Sequence, residues 1–525
     1  MFEEEDSKRP YLPWAIFDEL RDEKNCRYAE VGTWSRMWSR MLRKRFRGEA
    51  FPDPTIGELY EEIVCSRFGD VLAYLAKKEV TSDEMPVPLP WMHRIPPIHH
   101  LKVNPNQTIR RSHPELCGYG ASYTSFTEAL SKAIGEFLER YALLTTFFHR
   151  KNHITRKAFT DMHTPYALLH ETPRFFDWQL KHVSKGLTNK RLKDRTNAHF
   201  HCVRGESLSS GKTADIPLQH IVWGPQYAAG TPDADTYRIS PMTTSGAGGG
   251  FSLVDATLSG LCELIERDSF LVYWLNRLSP RRITISEKDA QKFFPRFFYI
   301  HHSLLARGFE IYFLDTTTDI RIPTVTSVVL ETLPHGGKSA LVAGKCHPDP
   351  ARALELSLHE NLPRLNLSNS NKETETFAFG TSYMPFSDST IGRSERINMW
   401  RSGSIAHEMD LFLSGGEISF KKWAEGFPPP PNDNESSLSR VLNEFARMEK
   451  EHGPAYEVFR YEARNPILDD LEYCVVKMVV PALVPLYLRE TLAFLDSARL
   501  RDVPKRLGFA AAPVNSYNPI PHPYP

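Results

Sequence analysis

At 525 residues, with 64 Lys plus Arg against 64 Asp plus Glu, the chain is long enough for one large domain or several ordinary ones and carries no net charge. That balance leaves no electrostatic footprint for nucleic acid or a membrane surface. Seven scattered cysteines, without a Cys-x-x-Cys spacing, suit a reducing compartment better than a disulfide framework or a structural zinc site.

In chain order, MFEEEDSKRP is acidic and lacks the apolar run of a signal peptide, so a cytoplasmic location is expected. The basic run RMLRKRF and the pair His99-His100 read as surface features. TIGELYEEIVCSRFGDVLAYLAKK (residues 55–78) is predicted helical and leads into the Pro-rich connector MPVPLPWMHRIPPIHH. Residues 1–110 are taken as an N-terminal extension of unassigned role, 111–495 as the main body and 496–525 as a Pro-rich tail. In AHFHC, strand alternation accounts for His199, His201 and Cys202 more cheaply than zinc does. IPLQHIVWG, FEIYFLD, IPTVTSVVL and SALVAGK read as strands between long helices, which predicts a mixed α/β architecture. FPPPPNDNESSLS (Phe427 to Ser439) is predicted to be an exposed loop. CVVKMVVPALVPLYLRE, interrupted by Lys477, Pro481 and Pro485, reads as a buried strand too short to span a bilayer.

The most informative pattern is an internal match. GYGASYTSFTEALSKAIGEFLERY (Gly118 to Tyr141) and SGAGGGFSLVDATLSGLCELIERD (Ser245 to Asp268) align without a gap at an offset of 127 residues. Each has a Gly-rich turn, then a Ser with an acid three residues later: Ser125 with Glu128, and Ser252 with Asp255. That is a capping signature opening a helix. Each helix then ends its match in Glu-x-x-Glu-Arg. A two-copy repeat suggests two equivalent helices that meet in space.

Residues three apart share a helical face, so Glu136 sits beside Glu139 and Glu263 beside Glu266. Arg140 and Arg267 account for one carboxylate per helix. The other is left among apolar neighbours, where an unpaired charge is costly. Mg2+ resolves this, since it takes one or two carboxylates and fills its shell with phosphates and water. TTSGAGGGFS supplies backbone amides at a helix start, a natural anion site. No GxxxxGK[ST] occurs. The residues therefore point to a magnesium–nucleotide site without a Walker lysine, against the alternative of structural salt bridges.

The doubled motif, together with AGKCHPDPARALELSLHE and VVKMVVPAL, resembles the YcaO family, ATP-dependent enzymes that activate peptide backbone amides. The resemblance runs from about residue 111 to 488 and implies a YcaO-like ATP-binding catalytic domain. Carried over, it implies ATP and Mg2+ held by Glu136, Glu139, Asp255, Glu263 and Glu266, with the two Glu pairs as metal ligands. Arg140 and Arg267 become charge partners or phosphate contacts, Ser125 a nucleotide contact, and Glu360 and Arg364 a third contributing segment. The chain departs from the family pattern at Tyr119, Leu356 and Pro363, where Lys, Arg and Gln are usual.

The last five residues, Pro521, His522, Pro523, Tyr524 and Pro525, spell Pro-x-Pro-x-Pro. By composition such an end is a disordered tail. On a YcaO-like chain it resembles the tail of azoline-forming members, which reaches the active site, and implies catalytic roles for Pro521, Pro523 and Pro525. The implied reaction is ATP-dependent cyclodehydration of Cys, Ser or Thr in a ribosomal precursor peptide. The implied partners are a separate leader-binding protein and a flavin-dependent azoline dehydrogenase; a homodimer is compatible with the size. Thioamide or amidine formation, and a nucleotide-binding scaffold that recruits a partner through its tail, are the alternatives.

Overall fold

The three runs read as strands between residues 310 and 346 form one antiparallel ribbon in the computed structural model of the chain. The structure describes residues 116–524 with interruptions, the longest at 180–198, 223–238 and 362–382, and the backbone of three strands between residues 60 and 104. The chain divides into two compact units, one of Met1–Leu143, Gly249–Leu253 and Ala463–Val475, the other of the remaining segments.

In the first unit, β1 (Tyr60–Val64), β2 (Leu72–Val80), β3 (Ile98–Asn104) and β4 (Gly118–Ser122) form a four-stranded antiparallel sheet in chain order. Within the span expected to be helical, residues 55–78, the described parts are instead the paired strands β1 and β2. β-branched Ile63 and Val64 favour the strand, and β2 is paired along both edges. Helix α1 (Phe126–His149) follows β4. Strand and helix approach closely at Gly118, where a Cβ would lie 2.6 Å from the Phe137 amide nitrogen. Ala133, Phe137, Leu138 and Tyr141 form its buried stripe.

The second unit holds two sheets. In one, β9 (Arg281–Thr284), β10 (Glu310–Asp315), β11 (Thr324–Thr332), β12 (Lys338–Cys346) and β13 (Glu417–Ser419) run in the order 12-11-10-9-13. In the other, β5 (Thr155–Ala158), β6 (His199–Ser207), β14 (Phe459–Ala463), β15 (Cys474–Val479) and β8 (Ala247–Gly250) run 5-6-14-15-8, with β7 (Thr213–Pro217) beside β6. AHFHC opens β6, and its alternation puts His199 outside and Phe200 and Cys202 inside. IPLQHIVWG is a strand only to Pro217; a helical turn, Leu218–Ile221, follows.

Helix α2 (Leu253–Leu275) carries ELIER through the centre of this unit. Its last turns, with Phe270, Leu271 and Trp274, pack into a core shared with Val328, Val342, Trp400, Leu500 and Tyr524. The helix stops in a Schellman motif. The Leu278 amide donates to the Tyr273 carbonyl at 2.9 Å and the Arg277 amide to Trp274 at 3.1 Å, with Arg277 in the left-handed region at φ 55°. Helix α3 (Pro350–His359) starts at Asp349, whose carboxylate accepts from the Ala351 amide at 2.8 Å, with proline at the first position. The Pro-rich stretch from Phe427 is an exposed loop only to Asp433. Asp433 caps helix α4 (Asn434–His452), so NESSLS is helical rather than loop. Helix α5 (Ala498–Arg506) precedes the tail. Among the described residues no helix is long and apolar enough to cross a membrane.

Candidate functional site

The sequence duplication is reproduced in the contacts of the first glutamate of each motif. In the first copy the backbone amide of Tyr119 donates to Oε2 of Glu136. In the second, the amide of Gly246, 127 positions on, donates to Oε2 of Glu263 at 2.8 Å. Each of these glutamates also pairs with the arginine four residues later, Glu136 with Arg140 at 2.6 Å and Glu263 with Arg267 at 3.3 Å. The first glutamate of each motif is thus held by an amide and a guanidinium, while the second is arranged differently.

In the first unit, Arg140 also donates to the Cys117 carbonyl at 2.6 Å, which ties the helix to the residue before β4. Glu139 is half-buried, and a Cβ at Gly249 would lie 2.8 Å from its Oε1. The Gly-rich segment of the second copy therefore runs against the second glutamate of the first copy. A side chain at position 249 would displace it.

In the second unit, Glu266 is only 4% exposed. Its Oε1 accepts the hydroxyl of Tyr524 and lies 3.5 Å from Nε of Arg267. Burial raises the Glu266 carboxyl above its ordinary range, opposed by the nearby charges of Arg267 and Lys345. Lys345, at the end of β12, meets Glu360 at 3.3 Å. Burial works against its charge, but Glu360, Glu266 and Glu263 together hold the lysine above its ordinary value. Three carboxylates and two cations therefore face one another. The C-terminal end of α3 carries Glu360 to the group, and β12 carries Lys345.

The tail is docked. Tyr383 donates to the Pro519 carbonyl at 2.7 Å, Trp274 to that of Ile520 at 3.1 Å and Trp400 to that of Pro521 at 3.0 Å. His522 is buried between Nη1 of Arg396, at 2.9 Å, and the Tyr487 carbonyl, at 2.8 Å. Aromatic donors reading successive carbonyls of an extended Pro-rich strand are the usual means of gripping such segments. Pro521 is buried and Pro523 half-buried. A small cavity of about 60 Å³ opens beside Arg267, lined by Thr243, Ser245, Leu264, Lys477 and Val484.

The site expected from sequence is thus brought together in part. Glu263, Glu266, Arg267 and Glu360 assemble in one unit, and Glu136, Glu139 and Arg140 in the other. Asp255 stands in the first turn of α2, roughly 12 Å along the axis from Glu263, and accepts from Asn434 at 2.7 Å. Arg140 and Arg267 are charge partners of the acids. Ser125, Arg364 and Pro525 lie outside the described residues. Lys345, Gly344 and Tyr524 were not picked out from the sequence; the only signals are AGKC within a family-like segment and an aromatic inside the proline repeat.

The donor set suits magnesium. It consists of hard carboxylate oxygens, one or two of which are enough when phosphates and water complete the shell. Among the described residues no three His, Cys, Asp or Glu side chains form a closed metal cage.

Comparison with known proteins gives the same picture. A curated relative from Rhizobium leguminosarum bv. trifolii, an uncharacterized protein in the tfuA 3' region, is 33% identical over 122 residues, 21% of this chain and 28% of the relative. A heterocyclase solved in complex with substrate and cofactor superposes with a TM-score of 0.59 at 16% identity, covering 86% of this chain and 55% of that one. The E. coli microcin synthetase McbBCD complex gives a TM-score of 0.52 at 17% identity, covering 82% of this chain and 94% of the matched one. The chain thus spans little more than a quarter of the curated relative and about half of the heterocyclase, and at these identities the structures show the fold alone. The profile of the YcaO cyclodehydratases, described as ATP- and Mg2+-binding, matches residues 118–484, and the chain belongs to that family.

Proposed function

We propose that the chain is an ATP-dependent cyclodehydratase that forms thiazolines or oxazolines in a ribosomally made precursor peptide. The observation that carries this reading is the docked tail. Its Tyr524 packs against Glu266, which puts the Pro-rich tail beside the acidic helix read here as holding ATP and Mg2+, in a family described as binding both.

In the reaction, a Cys thiol or a Ser or Thr hydroxyl adds to the preceding amide carbonyl. The resulting oxyanion takes the γ-phosphoryl group of ATP, and loss of phosphate leaves the azoline. In this reading Glu263 and Glu266 would hold Mg2+, which when bound would offset charge on the phosphates and orient the transfer. Glu136 and Glu139 are assigned to the same role by the sequence duplication and the matching amide contact of Glu136. The charges of Lys345 and Arg267 oppose the effect of burial on Glu266. The protein's share is placement and electrostatics. A leader-binding protein and a flavin-dependent dehydrogenase are the proposed partners.

The test is mass spectrometry of the precursor after incubation with ATP, Mg2+ and the leader-binding partner. Loss of one water per modified residue supports cyclodehydration. Exchange of oxygen for sulfur assigns thioamide formation instead, and an unmodified peptide with no phosphate release leaves the scaffold reading.

A further inference from the structure

We propose that Tyr524 is a positioning residue for Glu266: tail docking delivers its hydroxyl to one carboxylate oxygen and leaves the other to serve as the cation ligand. The inference rests on the reading of Glu266 as a magnesium ligand.

A glutamate on a helix has three rotatable side-chain bonds, and an unrestrained carboxylate must lose that freedom each time it binds a cation. Here Oε1 accepts the Tyr524 hydroxyl, with the Arg267 guanidinium 3.5 Å away as an ion-pair partner that does not hydrogen-bond to it. No described residue donates to Oε2. The restraint is rigid because Tyr524 is itself fixed. Its ring lies under the Arg267 guanidinium at 4.4 Å and against Phe270 at 4.7 Å, and it is 2% exposed.

Two further features serve this contact. Strand β12 has a glycine where the pair crosses it: a Cβ at Gly344 would lie 2.7 Å from the Tyr524 hydroxyl and 3.2 Å from Cγ of Glu266. The Tyr383, Trp274 and Trp400 donors set the tail's register upstream, so the hydroxyl arrives at Glu266 rather than one residue away. Outer groups that orient a metal ligand are commonly worth about 10–100-fold in metal affinity.

The experiment uses the full chain and a non-hydrolysable ATP analogue, titrated with Mg2+ by calorimetry, with amide hydrogen exchange over residues 516–524 reporting tail docking. Tyr524→Phe keeps the ring contacts, so tail protection and melting temperature are expected to stay at wild-type values. The Mg2+ half-saturation point is expected to rise about tenfold, while analogue affinity at saturating Mg2+ is unchanged. Gly344→Ala, which pushes the hydroxyl away, should move the same midpoint in the same direction. Glu266→Gln should remove the Mg2+ dependence. A wild-type midpoint in Tyr524→Phe alongside a lost one in Glu266→Gln overturns the positioning role and leaves the site reading standing. A wild-type midpoint in Glu266→Gln overturns both. Loss of tail protection together with Mg2+ affinity in Tyr524→Phe makes the residue a tail anchor and also overturns the proposal.

Discussion

Arg499 grips both carboxylate oxygens of Asp268, its Nε lying 3.1 Å from one and 3.0 Å from the other, with neither side chain exposed. The Val484 amide adds a third donor to Asp268 at 2.9 Å, and Arg499 reaches Asp319 at 2.5 Å. Asp268 directly follows Arg267, so this lock bolts the acidic turn of α2 to α5. Arg499→Met leaves Asp268 buried without its partner, and a loss of about 3–5 kcal/mol is expected. Urea unfolding would show it as a lowered midpoint. The double variant Asp268→Leu/Arg499→Met removes both charges and should recover most of that loss. A double variant as unstable as Arg499→Met would mean that the geometry, not the stranded charge, sets the cost.

Glu263→Gln separates chemistry from structure at the same helix. The amide side chain can still accept from the Gly246 amide, but it gives up the charge that faces Arg267 and any cation. Peptide-stimulated phosphate release should fall by about 100-fold with the melting temperature close to wild type. A lowered melting temperature with an unchanged rate would return Glu263 to the structural salt-bridge reading.

Tail docking should depend on pH through His522. Burial, with the Arg396 guanidinium beside it and the charge of Arg267 nearby, holds this imidazole well below its ordinary value of 6.5. Its face toward Tyr487 is a carbonyl, and Glu490 lies beyond, paired to Arg396 at 3.4 Å. The sign follows from proton counting. Below pH 6.5 the released tail takes up a proton that the docked tail does not, so docking weakens as pH falls and is level above that point. Exchange protection over residues 516–524, corrected for intrinsic rates, should therefore be level above about pH 6.5 and decline from there to about pH 5. His522→Gln should flatten the profile; an equally sloped profile in that variant would assign the effect to another group.

The duplicated acidic motif was legible in the sequence because its signals are local: a fixed offset, a capping pair and a charge spacing along one helix. The ribbon β10–β12 was legible for the same reason. Residues 55–78 were misread because mixed apolar and polar residues fit a helix as well as paired strands, and the choice is made by pairing with β3, outside the segment. The family resemblance gave the tail's direction, but the residues that seat it could not be read. Trp274 and Ile520, or Asp268 and Arg499, meet across more than two hundred residues, and nothing in the spacing of either partner announces the other. Lys345 and Gly344 were hidden likewise, since a strand shows its alternation but not which face meets a tail.

The glycines give the last test, because the structure ranks them by what a methyl group would strike. Gly246 has φ 84°, and a Cβ there would lie 2.6 Å from the Met478 carbonyl oxygen and 2.9 Å from Leu264. Gly260, on α2, faces the same loop, and its Cβ would lie 2.7 Å from the Gly246 carbonyl oxygen. Together they let the helix approach until the Gly246 amide reaches Glu263. Gly260→Ala should cost about 1–3 kcal/mol by overpacking, and Gly246→Ala more, since backbone strain adds to the collision. Gly211, at φ 68° with open space around it, isolates the strain, and alanine there should cost about 1 kcal/mol. Gly416 has neither strain nor a neighbour within reach of a Cβ, so alanine should be neutral or stabilise by about 0.4–1 kcal/mol. Denaturation midpoints of the four variants give the order directly. A Gly246→Ala chain as stable as Gly416→Ala would mean that the loop yields freely, and the matching amide contacts of the two copies would then carry no functional weight.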